Sequence, residues 1–154
     1  MRLVVQRVSR AAVRSEGTTL GHIGLGAVVL VGVEVGDDAT VADRMADKVI
    51  TLRYFEDERG KTNLDLEAVG GALLVVSQFT LLAELGGGRR PSFGRAAAPE
   101  MAAALVERFS QRLRLAGATV AEGRFGAMME VELVNDGPFT LLLDSRRDLR
   151  SRQG

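Results

Sequence analysis

An α+β fold is what this sequence predicts, with a mixed or antiparallel sheet forming a barrel-like core and two main helices packed against it. Runs rich in Val and Leu, read as strands, outnumber the segments with helical period. The two kinds of segment do not alternate regularly, which argues against a doubly wound sheet. Residues 72–76, "ALLVV", are apolar without any alternation, as a strand buried on both faces requires.

Taken from the N-terminus, residues 3–8 and 12–16 read as strands, the second pairing across Gly17 with residues 18–23 in a weak edge hairpin. Residues 27–35 make the next strand. Between Asp38 and Arg53, Val41, Met45, Val49 and Leu52 share one helical face, and Asp37 or Asp38 is placed to cap the first turn. Residues 72–76 follow as a central strand, and residues 84–99, "ELGGGRRPSFGRAAAP", as a long glycine-rich loop carrying Arg89, Arg90 and Arg95.

From Pro99 to Ala116 a second helix repeats Met101, Leu105, Phe109 and Leu113 at every fourth position. Proline suits the first turn, where its missing donor costs nothing, and Gly117 supplies the stop. Two last strands, 129–134 and 139–143, flank Asn135-Asp136-Gly137-Pro138. Asp-Gly between such runs signals a tight hairpin, yet the proline after it removes a donor where pairing should begin. Residues 1–144 form a single domain on this reading, and the basic tail 145–154 is expected to be disordered.

The chain carries 20 basic and 20 acidic side chains, so no global field draws it to nucleic acid or to a membrane surface. Cysteine is absent, which removes disulfides, thiolate nucleophiles and Cys-ligated metals. The opening "MRLVVQRVSR" lacks the apolar core of a signal peptide, and no apolar stretch reaches the ~18 residues of a membrane span. A cytoplasmic protein without membrane contact is the expectation. His22 is the single histidine, so no His pair can hold a metal, and the usual metal-site spacings are missing. Neither a metal nor a cofactor is expected.

"GGGRRPS" lacks the spacing of a triphosphate-binding loop. A basic arm for an RNA or DNA backbone and a plain solvated loop both stay open there. The strand at 72–76 changes character at Ser77-Gln78-Phe79-Thr80, where alternation would set Gln78 and Thr80 on one face and Ser77 and Phe79 on the other. Taken alone, this is a strand reaching solvent. Together with residues 135–138 it marks two polar, conformationally special spots at the ends of apolar strands. If those ends meet, hydroxyls, an amide and fixed carbonyls converge in one small-ligand cleft.

These blocks, Ser77-Gln78-Phe79-Thr80 and Asn135-Asp136-Gly137-Pro138-Phe139-Thr140, resemble the D-aminoacyl-tRNA deacylase family. "VQRVSRAAV", "GLGAVVLVGVE" and "GRRPSF" are similar to further family segments in family order, so that the resemblance spans residues 1–144. It implies an ester hydrolase that removes D-amino acids from the 3′ acceptor end of tRNA, and glycine mischarged on tRNA-Ala. It also implies a homodimer with active sites at the interface, where a cis Gly137-Pro138 dipeptide from one subunit enters the partner's pocket as a chiral gate. Arg7 is implied to hold that loop through its carbonyl groups, Asn135 and Thr140 to belong to it, and Met129 and Phe125 to line the pocket.

For the chemistry, the resemblance points to Ser77, Gln78, Phe79 and Thr80. Thr80 is a candidate nucleophile or orienting group, but no base is in evidence to activate it. The favoured alternative has backbone N–H groups near Phe79 and Thr80 form an oxyanion hole while the tRNA 2′-hydroxyl activates water. Against the deacylase stand a non-catalytic dimeric RNA- or nucleotide-binding module and an inert small-molecule binder, neither of which needs both motifs.

Overall fold

The computed structural model describes residues 1–150. Its strands are β1 (Arg2–Ser15), β2 (Thr18–Ile23), β3 (Gly26–Gly32), β4 (Phe55–Glu56), β5 (Thr62–Leu64), β6 (Ala72–Ser77), β7 (Thr119–Glu122) and β8 (Glu130–Asp144). The helices are α1 (Ala39–Thr51), α2 (Pro99–Leu115) and a single turn, α3 (Ser145–Asp148). The main sheet runs β2-β1-β3-β6-β7, with β8 on the other edge of β1. β1 pairs antiparallel with β2, β3 and β8, whereas β3–β6 and β6–β7 are parallel, so the sheet is mixed. β2 returns against β7 closely enough that a Cβ on Gly21 would sit 2.9 Å from the Glu122 carbonyl oxygen, and this contact nearly closes the barrel.

The predicted strands at 3–8 and 12–16 are one strand, β1. Its inward face changes along its length. Leu3 and Val5 are buried with the helices, whereas Val8, Ala11 and Val13 are buried in the barrel interior. The register explains the switch: Val8 pairs with Asn135 and Arg10 with Val134, so Ser9 is an extra residue that flips the pleat. β3 and β6 lie between both cores and bury successive residues to opposite sides, which accounts for the unbroken apolar run at 72–76.

α1 is capped by Asp38, whose side chain accepts from the Val41 N–H, and it buries Ala42, Met45, Ala46 and Val49. Pro99 opens α2, and Gly117 ends it with φ +95°. Met101 departs from expectation and is exposed, although Leu105, Phe109 and Leu113 are buried. Arg108 and Arg112 of α2 each make paired hydrogen bonds to Asp43 and Asp47 of α1, across the outer surface of the helix layer. No helix among the described residues is long and apolar enough to cross a membrane.

The structure corrects two further expectations. Residues 145–150 are not a loose tail: Asp144 accepts from the Arg146 N–H, and Asp148 accepts in return from the Asp144 N–H, closing α3. Residues 151–154 of the expected tail lie outside the described residues. The hairpin expected at Asp136-Gly137 is absent as well. Residues 129–134 and 139–143 do not pair with each other; both belong to β8 and both pair with β1.

Candidate active site

The Asn135–Pro138 segment is a bulge within one strand. Gln6 faces Thr140 and Val8 faces Asn135, so two steps along β1 are matched by five along β8. The surplus backbone is looped out opposite Arg7, and the Gly137–Pro138 peptide bond in it is cis. An outward loop would collapse or sway without support, and two side chains supply it. The Asn135 amide nitrogen donates to the carbonyls of Arg7 and Phe139, each at 2.9 Å, while its oxygen accepts from the Phe139 N–H at 3.1 Å. One amide thus clips both ends of the loop to β1.

Arg7 is buried and braces the same loop from beneath. Its Nε donates to the Asp136 carbonyl at 3.0 Å and its Nη1 to the Tyr54 carbonyl at 2.9 Å. Its guanidinium lies 4.6 Å over the Phe139 ring. The carboxylates of Glu56 and Asp136 stand off at 3.8 Å, so the arginine's shorter bonds are to carbonyl oxygens. Tyr54 itself is buried and neutral, its hydroxyl pKa pushed up by burial and by the charge of Asp65. Gly137 has φ +138°, and a Cβ there would lie 2.9 Å from the Phe139 nitrogen and 3.1 Å from the Arg7 guanidinium. Glycine is therefore required at 137 by both conformation and space.

The second motif is built differently. β6 ends at Ser77, opposite Val31, and the Gln78 N–H donates back to the Val31 carbonyl. Residues Phe79–Leu82 then coil into a 3-10 turn, so the strand-like alternation expected for residues 77–80 does not extend past Ser77. Leu81 N–H is taken by the Gln78 carbonyl. The N–H groups of Phe79 and Thr80, as the first two of the turn, have no acceptor within it. The Gln78 amide donates to the Thr80 hydroxyl, which fixes that side chain without a base. Phe79 is more than half exposed, and Phe93 packs against its ring edge-on at 5.1 Å.

The two motifs do not meet within a single chain. Ser77 pairs with Val31, Val31 with Leu3, and Leu3 with Leu143, whereas the Gly137–Pro138 loop sits beside Arg7. Three strand spacings of ~4.8 Å and four residues at ~3.3 Å separate them, on the order of 20 Å over the sheet surface. Phe125 and Met129 go with the Ser77–Thr80 end of β6. They lie on the segment after β7, whose Gly123 N–H bonds the Val75 carbonyl beside the end of β6, and Met129 packs on Gly123. Thr140 is an exposed strand position opposite Gln6. Two hollows in the protomer, about 370 and 380 Å³, include neither motif; the second carries His22 on its rim with Arg10 and Glu132.

Three contributors escape the sequence reading. Phe139 carries the arginine on its ring, Phe93 supports Phe79, and the Tyr54 carbonyl anchors Arg7. The two phenylalanines stand inside the quoted blocks and were legible there as neighbours of the motif. A backbone carbonyl leaves no trace in the identity of its residue.

Comparison with known proteins extends this picture. Residues 4–144 match the family model described as D-Tyr-tRNA(Tyr) deacylase. The D-aminoacyl-tRNA deacylase of Symbiobacterium thermophilum is 56% identical over 147 residues, covering 96% of this chain and 97% of that one. Its counterpart in Roseiflexus castenholzii is 53% identical over 154 residues, covering 99% and 98%. Among solved structures, a c-Myc DNA unwinding element binding protein superposes with TM-score 0.89 at 37% identity, covering 94% of this chain and 98% of its own. Another, described as a probable eukaryotic D-amino acid tRNA deacylase, has TM-score 0.78 at 17% identity, covering 92% and 97%, and speaks for the fold alone.

Proposed function

Because the chain belongs to the D-Tyr-tRNA(Tyr) deacylase family, we propose that it hydrolyses the ester of D-aminoacyl-tRNA with a site completed by two copies of itself. Water adds to the ester carbonyl, the bond to the terminal ribose oxygen breaks, and free amino acid and tRNA leave. The single observation that carries the composite site is the wide separation of the two motifs in one chain, each fully formed where it stands. In a homodimer the Gly137–Pro138 loop of one subunit enters beside Ser77–Thr80 of the other.

The roles follow from the bonding of each part. The unused N–H groups of Phe79 and Thr80 receive the charge that develops on the carbonyl oxygen, where one such donor supplies ~3–4 kcal/mol. The 2′-hydroxyl of the terminal ribose positions the attacking water, since the partner of the Thr80 hydroxyl among the described residues is the Gln78 amide, which is not a base. The Gly137–Pro138 loop, held by Arg7 and Asn135, presents backbone that accepts the substrate's α-amino group and fills the space an L side chain needs. Backbone excludes by shape and ignores the identity of the side chain, so many D-amino acids pass. Glycine, with nothing to exclude, passes too, including glycine mischarged on tRNA-Ala. Quality control of tRNA charging places the protein in the cytoplasm.

A nucleic-acid-binding module without hydrolysis is the second reading, favoured by the name of the 37%-identical structural neighbour. Incubation with matched D-tyrosyl-tRNA and L-tyrosyl-tRNA separates the two. Release of tyrosine from the D ester alone supports the chiral deacylase; release from both retains the esterase and removes the gate; binding without release from either supports the module.

A further inference from the structure

We propose that the arm at residues 85–91 binds phosphates of the RNA strand leading to the ester, through Arg89 and Arg90; this rests on the deacylase reading and adds an RNA contact to it. The arm is a defined projection. Its base is closed by reciprocal backbone hydrogen bonds between Glu84 and Ser92, at 2.7 and 3.0 Å. The flanking segment is bonded to the strand end at residues 33–35, through Val35 N–H to the Arg95 carbonyl and Ala97 N–H to the Val33 carbonyl. The tip, "LGGGRRP", is exposed throughout.

The three arginines of this region divide into two kinds. Arg95 is committed to the structure, with its guanidinium on the buried carboxylate of Glu34. Arg89 and Arg90 are exposed and form no ion pair among the described residues, and no acidic residue occurs from 85 to 93. On a chain whose charges cancel, such a local doublet is where a polyanion gains attraction. Pro91 disfavours the helical conformation at Arg90, and guanidinium forks match phosphate oxygens.

The glycines point the same way. A Cβ at Gly86 or Gly87 would meet nothing within 4 Å, so packing inside the protein gives no reason for them. Bare backbone at an exposed tip lets a ligand approach the chain closely. Position then selects the ligand. One residue past the base, Phe93 packs against Phe79 of the site, so the arm is rooted beside the reacting ester. Residues 89–92 span at most ~13 Å when extended. Phosphates next to the terminal nucleotide are therefore within reach, and the distant body of a tRNA is not.

The test uses the full chain, with D-tyrosyl-tRNA and D-tyrosyl-adenosine as substrates. The adenosine ester has the reacting bond but no phosphate. For the double variant Arg89→Ala, Arg90→Ala, kcat/KM on D-tyrosyl-tRNA is expected to fall at least about tenfold, mainly through KM, with hydrolysis of the adenosine ester within about twofold of wild type. The slope of log kcat/KM against log salt should flatten by about one to two units. Arg89→Lys, Arg90→Lys should recover most of the loss, and Arg53→Ala, Arg59→Ala, which removes as much exposed charge elsewhere, should show neither effect. Equal losses on both esters, an unchanged salt slope, or an equal effect from the control pair would overturn the proposal. Wild-type protein inert on both esters would instead overturn the deacylase reading on which it rests.

Discussion

The turn at residues 78–80 and the loop at residues 135–139 are both short, polar and set where a strand departs from regularity, yet their hydrogen bonding is opposite in kind. In the loop, Asn135 and Arg7 take up the carbonyls of Arg7, Asp136 and Phe139 and the Phe139 N–H. In the turn, the N–H groups of Phe79 and Thr80 are left without an acceptor inside the turn. A segment whose groups are internally satisfied holds a shape. A segment with free donors beside an apolar strand end is ready to stabilise a charge that appears only during reaction. In the function proposed above, discrimination falls to the loop at residues 135–139 and chemistry to the turn at residues 78–80.

Substitutions that act on the backbone of either segment sharpen this contrast most. Phe79→Pro removes one free N–H at a position where a helical turn tolerates proline; it is expected to lower kcat on D-tyrosyl-tRNA by roughly 100- to 1,000-fold. Phe79→Ala keeps the N–H and loses only the ring contact with Phe93, so single-turnover rates should show the smaller defect by far. Equal defects in the two variants would assign the effect to packing. Gly137→Ala comes next: strain at φ +138° and the close Phe139 nitrogen would displace the loop, at a cost on the order of 100-fold in kcat/KM on the D ester.

Asn135→Ala unclips the loop without filling its space. Thermal or denaturant unfolding should register a loss of about 1–3 kcal/mol from the orphaned groups. The ratio of D-ester to L-ester hydrolysis should fall as well, because a loosened loop excludes less sharply. Stability loss with the ratio intact would break the link between bracing and discrimination. The smallest effect belongs to Thr80→Ala, expected to retain activity within about tenfold in initial-rate assays if its hydroxyl is neither nucleophile nor base. Near-complete loss with the fold intact would return Thr80 to the centre of the chemistry.

Much of the framework was legible because it follows from local pattern. The caps at Asp38 and Pro99, the stop at Gly117 and the doubly buried run at 72–76 each express a short-range rule. Met101 was misplaced because a strict four-residue repeat drifts by ~40° per step around a 3.6-residue helix, so one end of the set leaves the buried stripe. β4, β5 and β7, at two to four residues, are too short to show a period. The continuity of β1 and β8 was hidden for a different reason: Ser9 and the surplus at Asn135–Pro138 are bulges, and a bulge is a property of two strands in register. α3 showed no period because it is a single turn, and it lies in a basic run.

The same limit applied to the site. Both motifs stood out as polar interruptions of apolar strands, whereas the role of Arg7 was implied by the family resemblance alone. The separation of the motifs within one chain shows in no local pattern, since it is fixed by strand order and register across four strands.

Subunit mixing tests that separation most directly. Phe79→Pro protein, defective in the turn, and Gly137→Ala protein, defective in the loop, would be unfolded together, refolded as a mixture and assayed on D-tyrosyl-tRNA. If each site joins the turn of one subunit to the loop of the other, heterodimers regain one complete site, and the mixture should recover about a quarter of wild-type activity. Heterodimers verified by mass, with activity no higher than either variant alone, would contradict a site shared between two chains.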